Sequence, residues 1–334
     1  MAVTSSGDGN FSSVITGGLS VNDDVIIDHD VTMDGHAPNV NSLTINSGKT
    51  LTGGGYKITC DGESSANVVI NNDGTISGNL DLEINTQTAT SAVFGGSSGN
   101  CFRNVKLNDA NVDLHLLGNA FIDGDLTIAA GQLTCATEAD SARNLTVEGH
   151  VSLTGTLNGS AAAISLGSLT INSGGTYSAT TGTTTITGES GGGYALENLG
   201  TFTHNKGKVL IDFDTSNKND NTNVKCNEFY DFEIKMNGAS YSTIFRDLSG
   251  DTVTFLGDLT ITKGKFDDNV NSDTYIIHGN TILESEGSFG VSTGWHTGDI
   301  THHGLVVIKG NYYRSNAGGT VKMGGIRNIG GSIL

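Results

Sequence analysis

The sequence predicts an all-β chain that winds one short strand unit many times, a parallel β-helix, and three observations carry that expectation. First, a tripeptide recurs. Leu43-Thr44-Ile45, Leu126-Thr127-Ile128, Leu169-Thr170-Ile171 and Leu259-Thr260-Ile261 are each followed, three residues on, by glycine (Gly48, Gly131, Gly174, Gly264). The leucines are 83, 43 and 90 residues apart, near multiples of about 20–24, the range of solenoid repeats. A shorter fifth copy, Leu145-Thr146-Val147 before Gly149, splits the 43 into 19 and 24. Second, apolar residues come in three-residue β-branched bursts between turn residues, as in Val25-Ile26-Ile27, Val68-Val69-Ile70, Val209-Leu210-Ile211 and Val306-Val307-Ile308. Third, no window sustains a 3.6-residue apolar period over ten or more residues, so little helix is expected.

Residues 1–40 read as an N-terminal cap or entry segment, because a solenoid end exposes unpaired backbone. Residues 41–310 read as the parallel β-helix. Its turns use Asn and Gly, as in Asn46-Ser47-Gly48 and Asn172-Ser173-Gly174, since both tolerate positive φ. Bursts this short, spaced irregularly within a unit but regularly between units, suit coils more than hairpins. At about 22 residues and ~4.8 Å per coil, roughly 15 coils are expected, about 70 Å in all. Asn side chains are expected to stack and bond one another at the turns. Within the helix, Asp212 to Asn223 is a polar run without a strand signal and reads as a protruding loop. Residues 311–334 are expected to cap the C-terminal end or to contact another subunit.

Composition narrows the function. The chain has 334 residues with 48 Gly, a single proline at Pro38 and a net charge of −18. Glycine without a G-X-Y period excludes collagen. The negative charge repels phosphate backbones, so no nucleic-acid partner is expected. No apolar run reaches 18 residues, so no membrane insertion is expected, and the start of the chain lacks a basic and apolar leader pattern. Cys60, Cys101, Cys135 and Cys226 stand alone and read as buried free thiols. Three Asn-x-Ser/Thr sites, at Asn10, Asn144 and Asn158, matter only in a secreted protein.

Asp23-Asp24-Val25-Ile26-Ile27, Val31-Thr32-Met33-Asp34 and Ser42-Leu43-Thr44-Ile45-Asn46-Ser47-Gly48 resemble the entry module of bacterial-surface and phage β-helix proteins. Gly7-Asp8-Gly9-Asn10-Phe11-Ser12 is similar to the G-D-G-x-W-S element of that class, with Phe for Trp, and the proline before the Asp pair is missing. Gly200-Thr201-Phe202-Thr203-His204 and Phe229-Tyr230-Asp231-Phe232-Glu233-Ile234 look like the same adhesin-type repeat. The resemblance implies a right-handed helix and a non-enzymatic phage virion protein: a tail fibre, a spike or a capsid-attached fibre. It also implies a homotrimer that contacts other virion proteins and a host-surface glycan, assembled in the host cytoplasm and exposed on the virion. Two alternatives remain: a polysaccharide-depolymerising tailspike and a bacterial surface adhesin.

No residue is assigned a catalytic, cofactor-binding or metal-binding role, but several groups bear on one. Acids cluster at Asp23, Asp24, Asp28, Asp30 and Asp34, at Asp212, Asp214 and Asp220, and at Asp267, Asp268 and Asp273. Asp212 and Asp214 share one side of a strand, as a glycosidase carboxylate pair must share a site. The competing reading is that Asp caps turns through its own backbone. There is no calcium-loop pattern. His296, His302 and His303 lie close in sequence beside Trp295, where imidazoles suit a transition metal, against the reading of a polar loop. Gly53-Gly54-Gly55 and Gly191-Gly192-Gly193 each precede a tyrosine and lack the Lys-Ser/Thr of a phosphate loop, so they read as tight corners.

Overall fold

The computed structural model of the chain describes residues 1–35, 38–62, 68–85, 90–136, 141–216, 218, 220–246, 251–267, 273–290, 298–313 and 319–334. Its parallel strands stack as a β-solenoid of about 13 turns, and 1% of it is helical. The step from one coil to the next is uneven. Asp24 pairs with Ser42, 18 residues on, while Phe232 pairs with Leu259, 27 on. Long connections between short strands lengthen many coils, so fewer fit than a uniform period of about 22 residues implies. The chain divides into two compact units, Met1–Ile164 with Ile171–Ser178, and Ser165–Thr170 with Ala179–Leu334.

In the first unit, pairing begins at once. Ala2–Thr4 pairs with Asp24–Ile27, and that strand pairs with Ser42–Ile45. The segment expected to be a cap therefore winds as coils. Within it, the one helix among the described residues, Phe11–Val14, buries Phe11 and Val14. Gly17 and Gly18, at φ +109° and +72°, follow it in a conformation that cannot prolong a helix. The interior is mostly aliphatic and stacked. Leu82, Val105, Leu126 and Val151 lie in line on successive coils, and Leu114, Leu133, Leu157 and Tyr177 form a second column. All eight are at most 1% exposed. The tripeptide copies do not all occupy one side of the coil. Leu126 pairs back to Val105, whereas Leu145 pairs back to Ala120 on a different side. The Leu-Thr-Ile signal encodes a three-residue strand with two inward side chains, and any side of the coil accepts it.

The second unit is built differently inside. Ile211, Ile234, Ile261 and Leu283 form an aliphatic column. Beside it runs an aromatic one, with Phe245, Phe266, Phe289 and Tyr312 contributing one ring per coil. Phe266 and Phe289 stack at 4.7 Å with planes 10° apart, and Phe289 and Tyr312 at 5.2 Å and 3°. The ring spacing matches the strand spacing, so stacking costs no distortion of the backbone. The polar run after Asp212 does not leave the coil where it starts. Asp212 and Phe213 are buried, and Lys218 donates its main-chain N–H to Phe213 O at 3.1 Å. Residues 217 and 219 of that run lie outside the described residues.

Candidate functional site

Aspartate and asparagine at the coil corners hold the winding together. In the first unit Asn104 Oδ1 accepts the main-chain N–H of Asp125 at 2.8 Å, and Asp125 Oδ1 accepts that of His150 at 2.7 Å. Asn119 and Asn144 form a parallel series, accepting from Asn144 and Ala163 at 3.0 Å each. In the second unit Asp231 accepts from Asp258, Asp258 from Asn280, and Asn280 from Leu305. These are hydrogen bonds from backbone to side chain between successive coils. The expected stacking of Asn on Asn is the lesser device, seen where Asn72 Nδ2 donates to Asn100 Oδ1 at 2.9 Å. A corner N–H turned out of the strand ladder needs an acceptor, and a short side chain one coil away supplies it.

The aspartates near the start of the chain belong to the same system. Asp8 accepts the N–H of Asp30, and Asp30 accepts that of Thr50, both at 2.9 Å. Asp24 Oδ1 takes Asn41 Nδ2 and Ser42 Oγ at 2.7 Å, Asp28 takes Asn46 Nδ2 at 2.8 Å, and Asp34 takes the N–H and hydroxyl of Ser12. Hydrogen bonds from Ser20, aided by the Met1 ammonium at 3.3 Å, hold the Asp23 carboxyl below its ordinary range.

Asp212 and Asp214 are bridged by one lysine, and a second lysine holds Asp214. Asp212 Oδ1 accepts the N–H of Thr215 at 2.9 Å, and its Oδ2 accepts the Thr215 hydroxyl at 2.9 Å. Lys235 Nζ sits 3.4 Å from Asp212 and 3.6 Å from Asp214, and Lys263 Nζ is 2.9 Å from Asp214. The Lys263 hydrogen bond, with the charges of both lysines, holds Asp214 below the usual carboxylate range, and the same contact raises Lys263. A general acid for glycoside cleavage needs a carboxyl pushed up. Asp214 is held ionised, and the two lysines tie three successive coils by charge. Lys57, Glu83 and Lys106 form a comparable bridge in the first unit. Asp267 and Asp273 are buried, and burial, aided by the charges of Asp273 and Asp267, pushes the Tyr275 phenol well up. Asp268 lies outside the described residues.

The histidine group splits. His302 and His303 are neighbours on one strand, Ile300–Ile308, and face opposite ways. His302 points inward and is 1% exposed. Its Nδ1 bonds the Thr281 hydroxyl at 2.7 Å and its Nε2 the Tyr312 hydroxyl at 2.9 Å. Burial lowers it to about 4, so the ring is neutral and both nitrogens are used. His303 is exposed and stacks on His278 of the preceding coil at 4.9 Å. His296 and Trp295 lie outside the described residues. Among the described residues, no three His, Cys, Asp or Glu side chains converge as a metal site would require.

The thiols are buried and free. Desolvation pushes Cys60 and Cys135 to about 12 and Cys226 to about 11. The glycine triplets are corners: Gly54 and Gly55 have φ +65° and +89°, Gly193 +77°, and strands start at Tyr56 and Tyr194. A groove of about 500 Å³ in the first unit is lined by Ala110, Asp113, Ala129, Gln132, Thr154 and Gly174. Its two longer polar side chains already bond each other, Gln132 Nε2 to Asp113 Oδ1 at 3.0 Å.

Two features went unread in the sequence, and both left a signal. Gly-Asx stands directly before a strand at Gly124-Asp125-Leu126, Gly257-Asp258-Leu259 and Gly279-Asn280-Thr281. Phe245, Phe266, Phe289 and Tyr312 recur at 21, 23 and 23 residues. Compared with family models, with curated proteins and with solved structures, the chain gives no match.

Proposed function

We propose that the chain is a structural, non-enzymatic component of a phage virion, a fibre, spike or capsid-attached appendage. Its solenoid surface would meet a host glycan or a neighbouring virion protein, in a homotrimeric assembly. The observation that carries the non-enzymatic part is the fate of Asp212 and Asp214. The two carboxylates best placed for hydrolysis are held by Lys235 and Lys263, with Asp214 kept ionised. The virion part rests on the resemblance of the entry module, and a stacked scaffold of this kind suits presentation of an outer surface.

Two measurements test the reading. The purified chain is incubated with host capsular and cell-wall polysaccharides, with binding and the release of new reducing ends read separately. Binding without release is expected. Release that Asp212→Ala or Asp214→Ala abolishes would establish the depolymerase instead. Portal and tail genes beside the coding sequence support the virion assignment, and a longer reading frame with an export signal supports the adhesin.

A further inference from the structure

His303 finds a neighbour in the coil that its place in the sequence does not show. Ile277 pairs with His302 in parallel register, so the next residues, His278 and His303, stand side by side on successive coils. Their rings lie 4.9 Å apart with planes 5° from parallel, and both are exposed. Among the described residues, no hydrogen bond or ion pair engages a ring nitrogen of either one. Elsewhere the imidazoles are in use. His29 Nδ1 bonds the Ser5 hydroxyl at 3.1 Å, His204 Nδ1 accepts the main-chain N–H of Lys206 at 2.9 Å, and His302 uses both nitrogens. The backbone beneath the pair is fixed. Glycine follows each histidine, at Gly279 and Gly304, and a Cβ on Gly304 would collide with Gly279 O. One coil earlier the same row carries Leu256, 38% exposed, which offers no competing polar group.

We propose that His278 and His303 chelate one divalent transition ion of the copper, nickel and zinc class on the outer surface of the second unit. A neutral imidazole gives such an ion a nitrogen lone pair at about 2.0–2.1 Å, whereas calcium and magnesium take oxygen ligands. Parallel stacked rings hold like nitrogens about one strand spacing apart, ~4.8 Å, which is too wide to share an ion. Turning the two exposed side chains about their Cβ–Cγ bonds tips those nitrogens together, and the backbone stays where it is. The result is an open chelate. Two positions are filled by protein and the others by water, in contrast to a closed structural site with four protein ligands. The net charge of −18 raises the concentration of cations around the surface. The two ligands come from different coils and meet only in the folded chain. The bound ion therefore stabilises the joint between Thr274–Ile277 and Ile300–Ile308. The site stands on two side chains of this chain and needs nothing from the assignment of host or virion.

The test is calorimetric titration of the full, untagged chain with Ni²⁺, Zn²⁺ and Cu²⁺, and with Mg²⁺ as control. The expected result is one site per chain for the three transition ions and none for Mg²⁺. His278→Gln and His303→Gln alter exposed side chains, and without metal each keeps the urea midpoint of the parent. Each weakens binding by roughly tenfold or more, because a chelate loses its effective concentration with either arm. His204→Gln and His296→Gln leave the site in place. Saturating Ni²⁺ raises the urea midpoint of the parent and of His204→Gln, and leaves that of His278→Gln and His303→Gln unmoved. No binding to the parent overturns the proposal. So does binding that survives in both His278→Gln and His303→Gln, or binding that His296→Gln removes while these two keep it.

Discussion

Asp258 Oδ1 accepts the main-chain N–H of Asn280 at 2.7 Å, across one full coil of 22 residues. The side chain substitutes for a strand partner where the backbone turns the corner. Asp258→Ala leaves that N–H without its acceptor and is expected to cost about 1–2 kcal/mol. Asp258→Asn keeps an acceptor oxygen and is expected to stay within about 0.5 kcal/mol of the parent. Urea unfolding of the two variants checks the difference, and equal losses would show that charge, not the acceptor, matters.

Phe289 lies between Phe266 and Tyr312, stacked on both. Phe289→Ala removes a ring from a column in which each ring supports the next. The expected loss is about 3–5 kcal/mol, with Phe289→Leu costing less because most of the volume remains. Equilibrium denaturation followed by tyrosine fluorescence gives both values.

His302 is neutral and buried, with a proton affinity lowered from 6.5 to about 4. Below the ordinary histidine value the unfolded chain binds a proton that the folded chain refuses. Stability is therefore full above about pH 6.5, falls as pH drops towards 4, and levels off below. The full contribution is on the order of 3 kcal/mol. His302→Gln, compared with the parent between pH 7 and 4, is expected to flatten this part of the profile (about the range set by the two values). An unchanged slope would place the proton uptake elsewhere.

Asp214 titrates below the ordinary aspartate range because Lys263 donates to it. A folded carboxyl held low contributes stability above the ordinary carboxylate value, and that contribution is lost as pH falls through its lowered one. Lys263→Met is expected to move the Asp214 titration upward, with a smaller upward move in Lys235→Met. Carboxyl carbon shifts followed by NMR over an acid titration read this directly.

Gly264 has φ +95°, and a Cβ placed there would sit 2.5 Å from Met236 Cγ and 2.9 Å from Tyr241 O. Gly264→Ala meets both a disfavoured backbone conformation and a filled space. A loss of about 2 kcal/mol or more is expected in thermal unfolding. Gly174, at φ +85° with nothing near its Cβ position, is expected to lose less on the same change.

The parallel winding was legible from Leu-Thr-Ile and the three-residue bursts, because a strand with two inward side chains must repeat to bury them. Its phase was not. Leu126 and Leu145 carry nearly the same tripeptide on different sides of the coil, since side chains that point inward look alike on every side. The turn role of the acids was also legible in kind. Asp at a corner suggests a bond to nearby backbone, but which backbone depends on coil length, and Asp125 reaches 25 residues ahead to His150. The histidines were misleading for a simple reason. His302 and His303 are adjacent, and adjacency in a strand means opposite faces. Asp212 and Asp214 were read as sharing a side of a strand, but the strand ends at Asp212 and Asp214 lies in the turn after it. What the chain order concealed is that Lys235, from the next coil, bridges them, and that Lys263, from the coil after, holds Asp214.

The sealed thiols give each half of the molecule its own reporter. Cys60 and Cys135 lie in the first unit and Cys226 in the second, all desolvated and held protonated. A thiolate-seeking reagent has nothing to attack until the surrounding coils part. The alkylation rate at each site therefore counts openings of its own neighbourhood, with no label or engineered probe. A stack held by neighbour-to-neighbour contacts need not part everywhere at once, and three native sulfurs suffice to tell which portion yields first.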